Sequence, residues 1–351
     1  MTERGALASF YFSYSGVAMA LGVNSVRKSL SLMLRTVSNW HRPSGLPNVF
    51  VFTTPRSGST WLMELIQSQP GFKCCSEPLD LRVEGVSENL GLDSWEDLYQ
   101  DESWPQVKAY FEGLCSGRIK FLNQSPFIPF YRPYTKRLVA KVLHGGEAQI
   151  ERLSQSCGAR VVFLLRHPIA VSLSRVETPR LEAFLRSDYR KNFSQEEQDF
   201  AWDIIRSGSD LQKGVLDWCL QNAVPLRNLE REWIVISYEE LVLAPEPILS
   251  RLTTGLDLES PSRLYNGLSR PSETVRKSDQ LTADVLNAPM EESKKWWLVG
   301  KWREKVDEDS ERKAMRILEY FKIDLYRFGD ILPHSPLWVG QELKAPPRSE
   351  S

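Results

Sequence analysis

Arg56, Ser57, Gly58, Ser59 and Thr60 stand in a row, after one apolar run and before a second periodic stretch. Together they bring a permanent cation with several donors, three hydroxyls and one residue without a side chain. That set suits an oxyanion of the phosphate or sulfate kind. The Arg supplies fixed charge, the hydroxyls supply hydrogen bonds, and Gly58 lets the backbone come close. A second set lies downstream. Arg166 follows the run Val161-Val-Phe-Leu-Leu165, with Pro168 two residues on and Ser174 eight residues on. Arg166 and Ser174 are expected to converge on one further phosphate, from a strand end and a helix face.

The elements that would hold these residues are legible around them. Val49 to Thr53 are all apolar or β-branched and read as a buried strand. Pro55 and Gly58 break it, and Leu62, Leu65 and Ile66 mark the core face of a helix. Backbone N–H groups at a helix N-terminus favour an anion. Val161 to Leu165 form a second buried strand, and Pro168 fits the first turn of a helix. The first loop is not a Walker A loop. It has no Gly five residues before Gly58 and no Lys after it. The plain alternative for both sets is structural: a capped strand–loop–helix, and a capping Arg with a solvated Ser.

The order Pro55-Arg-Ser-Gly-Ser-Thr-Trp-Leu62 resembles the phosphosulfate-binding loop of sulfotransferases, which use 3′-phosphoadenosine 5′-phosphosulfate (PAPS). In that family an Arg at a strand end and a Ser eight residues on hold the 3′-phosphate, as Arg166 and Ser174 would. Ile236-Ser-Tyr-Glu-Glu-Leu-Val-Leu-Ala-Pro245 is similar to the R-Y-E-x-L-x-x-x-P segment of membrane-associated members, with Ser237 where Arg is usual. The likeness puts Tyr238 among the cofactor-binding residues. Ser278 to Asn287 resemble the cofactor-covering loop of protein-tyrosine sulfotransferases, and Lys295-Trp296 follow as a Lys-Trp does there. Lys301 to Val306 and the helical Ala314 to Phe321 look like the family's ending. The resemblance spans residues 47–330 and is to the carbohydrate and protein-tyrosine branch. It implies PAPS as donor, 3′-phosphoadenosine 5′-phosphate (PAP) as product, no metal, and a cofactor site of Arg56, Ser57, Gly58, Ser59, Thr60, Arg166, Ser174, Tyr238, Ser278, Asn287 and Lys295.

Sulfuryl transfer needs a base for the acceptor proton and cations for the leaving phosphate, so positioning and electrostatics should dominate. Arg56 is expected to stabilise charge on the leaving oxygen. Two residues compete as base. Glu77, in Cys74-Cys-Ser-Glu-Pro-Leu79, stands where carbohydrate and tyrosine sulfotransferases place a Glu, often as Glu-Pro. His144, in Ala140-Lys-Val-Leu-His144, resembles the K-T-H of cytosolic members, with the Lys one residue too far. The Glu-Pro context favours Glu77. Trp302 or Trp296 is a candidate to stack on adenine. The Arg pair that follows the Glu in tyrosine sulfotransferases is missing, and Arg82 is displaced from it, which speaks against a peptide acceptor.

The 351 residues are 42% hydrophobic and 25% charged, an ordinary globular composition. A formal net charge of −1 argues against a general polyanion binder, so no nucleic-acid partner is expected. Cys74, Cys75, Cys115, Cys157 and Cys219 include no C-x-x-C pair, so neither a structural zinc site nor a disulfide framework is expected. Strands alternating with helices imply a parallel sheet covered on both faces. The full expectation is an α/β, P-loop NTPase-like three-layer fold with a central parallel sheet and helical insertions. It assigns 1–46 to a helical arm or anchor, 47–330 to the catalytic domain and 331–351 to a tail. Pattern and breakers predict strands at 48–53, 72–75, 138–143, 161–165 and 232–236, a helix at 169–175, a loop at 258–292 and a terminal helix at 308–321. The apolar stretch 6–23 reads as a signal, an anchor or a packed helix, and is the point of any membrane association. Arg27, Lys28 and Arg35 after it favour a cytoplasmic enzyme over a membrane-associated or Golgi-lumen one. Asn123 and Asn192 fit glycosylation sequons, which matter only in a lumen. The expected acceptor is a hydroxyl of a carbohydrate, glycolipid or small molecule. A small-molecule kinase, or a non-catalytic nucleotide-binding protein, is the competing reading. The oligomeric state is not legible.

Overall fold

The two apolar runs beside the phosphate motifs become neighbouring strands. In the computed structural model, residues 29–30, 32–37, 39–122, 131–175, 180–270 and 291–334 are described. The main sheet contains β2 (Asn48–Thr53), β3 (Phe72–Ser76), β5 (Arg137–Val142), β6 (Ala159–Leu165) and β7 (Ile234–Ser237), in the order β3-β5-β2-β6-β7. Every pairing in it is parallel. A smaller parallel pair joins β1 (Trp40–His41) to β4 (Tyr134–Thr135).

All six residues of β2 and all six of β5 are buried, so both faces of the sheet are covered by helices. The core includes Val49, Phe50 and Val51 of β2, Leu138 to Ala140 of β5 and Trp218 of the long helix Asp210–Arg227, all fully buried. This is the three-layer α/β arrangement expected, with the helices between Leu181 and Arg227 as the insertion. All five cysteines are unpaired, and all but Cys157 are buried.

Boundaries differ from expectation in three places that matter. The helix after β6 runs Pro168–Leu173, and Ser174 is its C-cap rather than a residue on its face. A helix at Tyr238–Leu243 follows β7 directly, started by a capping box in which the Ser237 hydroxyl accepts from the Glu240 N–H. The expected loop at 258–292 contains a helix at Pro261–Leu268, opened by Pro261. Residues 6–23 lie outside the described residues. The described end of the arm is tied in by His41, whose ring contacts the Cys115 carbonyl at 3.1 Å and the Thr135 hydroxyl at 3.0 Å.

Candidate active site

Parallel order brings the carboxyl ends of five strands to one edge, where ligands bind in open α/β sheets. Across that edge lie Glu77 after β3, Lys141 near the end of β5, the 54–60 loop after β2, Arg166 after β6 and Tyr238 after β7.

The loop between β2 and the helix Ser59–Gln67 is wound tightly. Gly58 has φ 86° and Arg56 φ 71°, both left-handed. For Arg56 this conformation costs roughly 1–2 kcal/mol, so the surroundings must enforce it. A Cβ at Gly58 would come within 2.5 Å of the Tyr238 ring, which explains why a residue without a side chain is needed there. Ser57 is fully buried, and its hydroxyl lies 2.6 Å from that of Thr54. Ser57 therefore braces the loop. Ser59 is buried in the first turn and Thr60 is half-buried beside it. The first N–H groups of this helix have no partner within it, as geometry requires, and point to the loop mouth.

Arg166 joins the two motifs. Its Nη1 donates to the Arg56 carbonyl at 2.8 Å, and its guanidinium lies 4.3 Å from the centre of the Tyr238 ring. The Tyr238 ring meets Trp61 edge-on at 6.3 Å. The Arg166 carbonyl accepts from Trp218 Nε1 at 3.0 Å, which anchors the strand end. The Arg166 Nε–H is buried and meets no acceptor among the described residues. Buried donors of this kind normally have a partner, which makes this N–H a candidate contact for a bound acceptor.

Behind Arg166 sits a buried polar cluster. Glu239 is fully buried and accepts from the His167 N–H at 2.9 Å and the Tyr326 hydroxyl at 3.0 Å. Burial lifts its carboxyl to about 7, against the opposing pull of these hydrogen bonds and of Arg166. His167 stacks on Trp302 at 4.3 Å with 17° between the planes. Trp302 is 3% exposed, so its ring is committed to His167 and is not open to adenine.

At the other end of the edge, Lys141 is 4% exposed and bridges two elements. Its Nζ donates to Glu77 Oε1 at 2.7 Å and to the Thr60 hydroxyl at 3.2 Å. Glu77, with φ 60°, is also left-handed. Lys141 was not among the expected site residues. Its signal is a lone Lys within the apolar run Leu138 to Val142, which needs a counter-charge when buried. The carboxylate that supplies it is one of the two candidate bases.

The other candidate base is His144. The half-buried His144 ring meets Trp95 edge-on at 5.8 Å. Burial, then Arg175 and Arg180, push its pKa down to about 3. Arg175 is paired with Asp217, and Arg180 lies over Trp95 at 3.9 Å. Arg82 is held bidentately by Asp80 at 2.9 Å and is exposed.

The Ser174 hydroxyl donates to the Val171 carbonyl at 2.9 Å, and no hydrogen bond links it to Arg166. Lys295 lies on the helix Glu292–Gly300, which packs on the helix that begins at Tyr238. Ser278 and Asn287 lie outside the described residues, as does the Asn123 sequon. Among the described residues no group of His, Cys, Asp or Glu is arranged to hold a metal ion.

No protein-family model and no curated protein matches the chain. Among solved structures it is similar to the sulfotransferase domain of the Synechococcus PCC 7002 olefin synthase. The identity is 19% and the TM-score 0.43, over 82% of this chain and 100% of that one. The sulfotransferase domain of the curacin biosynthetic pathway is similar at 15% identity and TM-score 0.41, covering 80% and 99%. A mouse sulfotransferase complexed with PAP is similar at 14% identity and TM-score 0.38, covering 83% and 88%. These values are low, and the functional reading rests on the side chains of the site.

Proposed function

We propose that the chain is a PAPS-dependent sulfotransferase acting on a hydroxyl of a carbohydrate, glycolipid or small-molecule acceptor. One observation carries the reading: Arg166, from the second motif, clamps the backbone of the first at 2.8 Å and stacks on Tyr238. The two candidate anion-binding motifs, 110 residues apart, are thereby joined. The residues fit a bis-phosphorylated nucleotide. The N–H groups of the 58–60 turn and the Arg56 side chain would take the phosphosulfate, and the Arg166 guanidinium, whose Nε–H meets no acceptor among the described residues, would take the 3′-phosphate.

PAPS supplies an activated sulfuryl group on a phosphate leaving group. Arg56 would stabilise the charge that builds on the leaving oxygen as that bond breaks. Glu77 takes the proton of the acceptor hydroxyl as its oxygen bonds to sulfur. Lys141 holds the Glu77 carboxylate toward Thr60 and the loop, which keeps base and cradle in register. The test is transfer of labelled sulfate from PAPS to a panel of glycan, glycolipid and phenolic acceptors. Labelled product supports the reading. A chain that binds PAP yet transfers to none is a nucleotide-binding protein instead.

A further inference from the structure

The N-terminal helical residues are attached to the protein by their polar side. Residues 29–30 and 32–37 are helical. Arg35 Nη1 donates to the Leu122 carbonyl at 2.9 Å, and Lys120 Nζ donates to the Thr36 carbonyl at 2.8 Å. Just past the helix, Asn39 Nδ2 donates to the Phe121 carbonyl at 2.9 Å. The apolar residues point the other way. Leu30 is 54% exposed, Met33 64%, Leu34 37% and Val37 60%. Their spacing of i, i+3, i+4, i+7 puts them on one face. A helix that packs on its own domain shows the reverse arrangement.

The exposed face continues beyond the helix. Trp40 is 56% exposed and Tyr134 50%, and the two are register partners in the β1–β4 pair. Trp40 Nε1 donates to the Val37 carbonyl at 2.7 Å, so helix and strand form one surface. The segments that carry it bear charge of one sign. The sequence has no Asp or Glu between Glu3 and Glu64, and none between Glu112 and Glu147. Arg42, Arg118, Lys120 and Lys136 are exposed on the segments that carry the face. With a net charge of −1 overall, the acidic residues are concentrated elsewhere.

We propose that this face is an interfacial docking surface for a bilayer containing anionic lipids. The apolar stripe enters the headgroup boundary, Trp40 and Tyr134 sit at its level, and the cations meet lipid phosphates and carboxylates. A second copy of the chain is a poorer occupant, because a two-fold contact would set the same cations against one another. β1 and β4 lie just before β2 and β5 in the chain, at the amino ends of the sheet. Docking there leaves the candidate active site, at the carboxyl ends, facing water.

The test is cosedimentation of the full chain with phosphatidylcholine vesicles, with and without phosphatidylserine. Binding to the anionic vesicles should be about tenfold or more tighter and should weaken with salt. Met33→Glu with Val37→Glu should lower it about tenfold or more, with the thermal melt and PAP binding unchanged. Arg118→Glu with Lys120→Glu should abolish the preference for phosphatidylserine. Three results overturn the proposal. The chain does not sediment with anionic vesicles. The Met33/Val37 double variant sediments as the parent does, which assigns binding to residues 6–23. Or that variant turns a dimer into monomers, which makes the face a contact between copies.

Discussion

Arg166 donates through Nη1 to the Arg56 carbonyl at 2.8 Å, so the residue expected to hold one phosphate also fixes the loop expected to hold the other. Arg166→Ala removes a ligand contact and a loop clamp together. Affinity for PAP should fall about ten- to a hundredfold, equivalent to about 1.5–3 kcal/mol for a charge-assisted bond. Arg166→Lys should recover little, since an ammonium cannot clamp the carbonyl and lie flat on Tyr238 at once. Titration calorimetry of the three proteins with PAP checks this. Parent-like affinity in the Ala variant would make Arg166 a structural residue only.

Arg56→Ala should lower turnover much more than it weakens PAP binding. The guanidinium matters most when charge builds on the leaving oxygen, which is a transition-state effect. Single-turnover transfer and PAP titration separate the two. Equal losses in both would assign Arg56 to ground-state binding.

Glu77→Gln should preserve PAP binding and slow transfer about 10²- to 10⁴-fold, the usual span for a general base. The amide still offers Lys141 an acceptor oxygen, so the buried cation keeps a partner and the fold should hold. His144→Asn should change the rate little. If the His144 variant is the inactive one, the two roles are exchanged.

Glu239 predicts a pH dependence of stability. Burial raises its carboxyl to about 7 in the folded chain, above its ordinary value of 4.5. The folded state then binds the proton more tightly than the unfolded state. Its stabilising contribution is full below about pH 4.5 and is lost as pH rises to about 7. Glu239→Gln cannot ionise, and its amide can still meet the His167 N–H and the Tyr326 hydroxyl. The gap between parent and variant melting temperatures should therefore move in the variant's favour from pH 5 to pH 8. A constant gap would contradict the buried-acid account.

The sequence was most informative where local pattern suffices. The apolar runs at Val49–Thr53 and Val161–Leu165, each ended by a loop with an Arg, marked the central strands β2 and β6. What it hid depends on partners far along the chain. Lys141 finds Glu77 across 64 residues, and no local spacing reveals that. Trp302 is a candidate for adenine by residue type alone, and its stacking on His167 depends on a residue far back in the chain. Ser174 missed its helix by one residue, where no breaker marks the end. The helix at Tyr238 did carry a signal, the S-x-x-E of Ser237 and Glu240, but six residues are too short for periodicity to register.

The central claim is that the two motifs form one site for a nucleotide bearing a 3′-phosphate. Calorimetric titration of the full chain with PAP and with 5′-AMP tests it most directly. PAP should bind about ten- to a hundredfold more tightly, because only its 3′-phosphate reaches Arg166. Equal affinity for the two nucleotides would contradict the account.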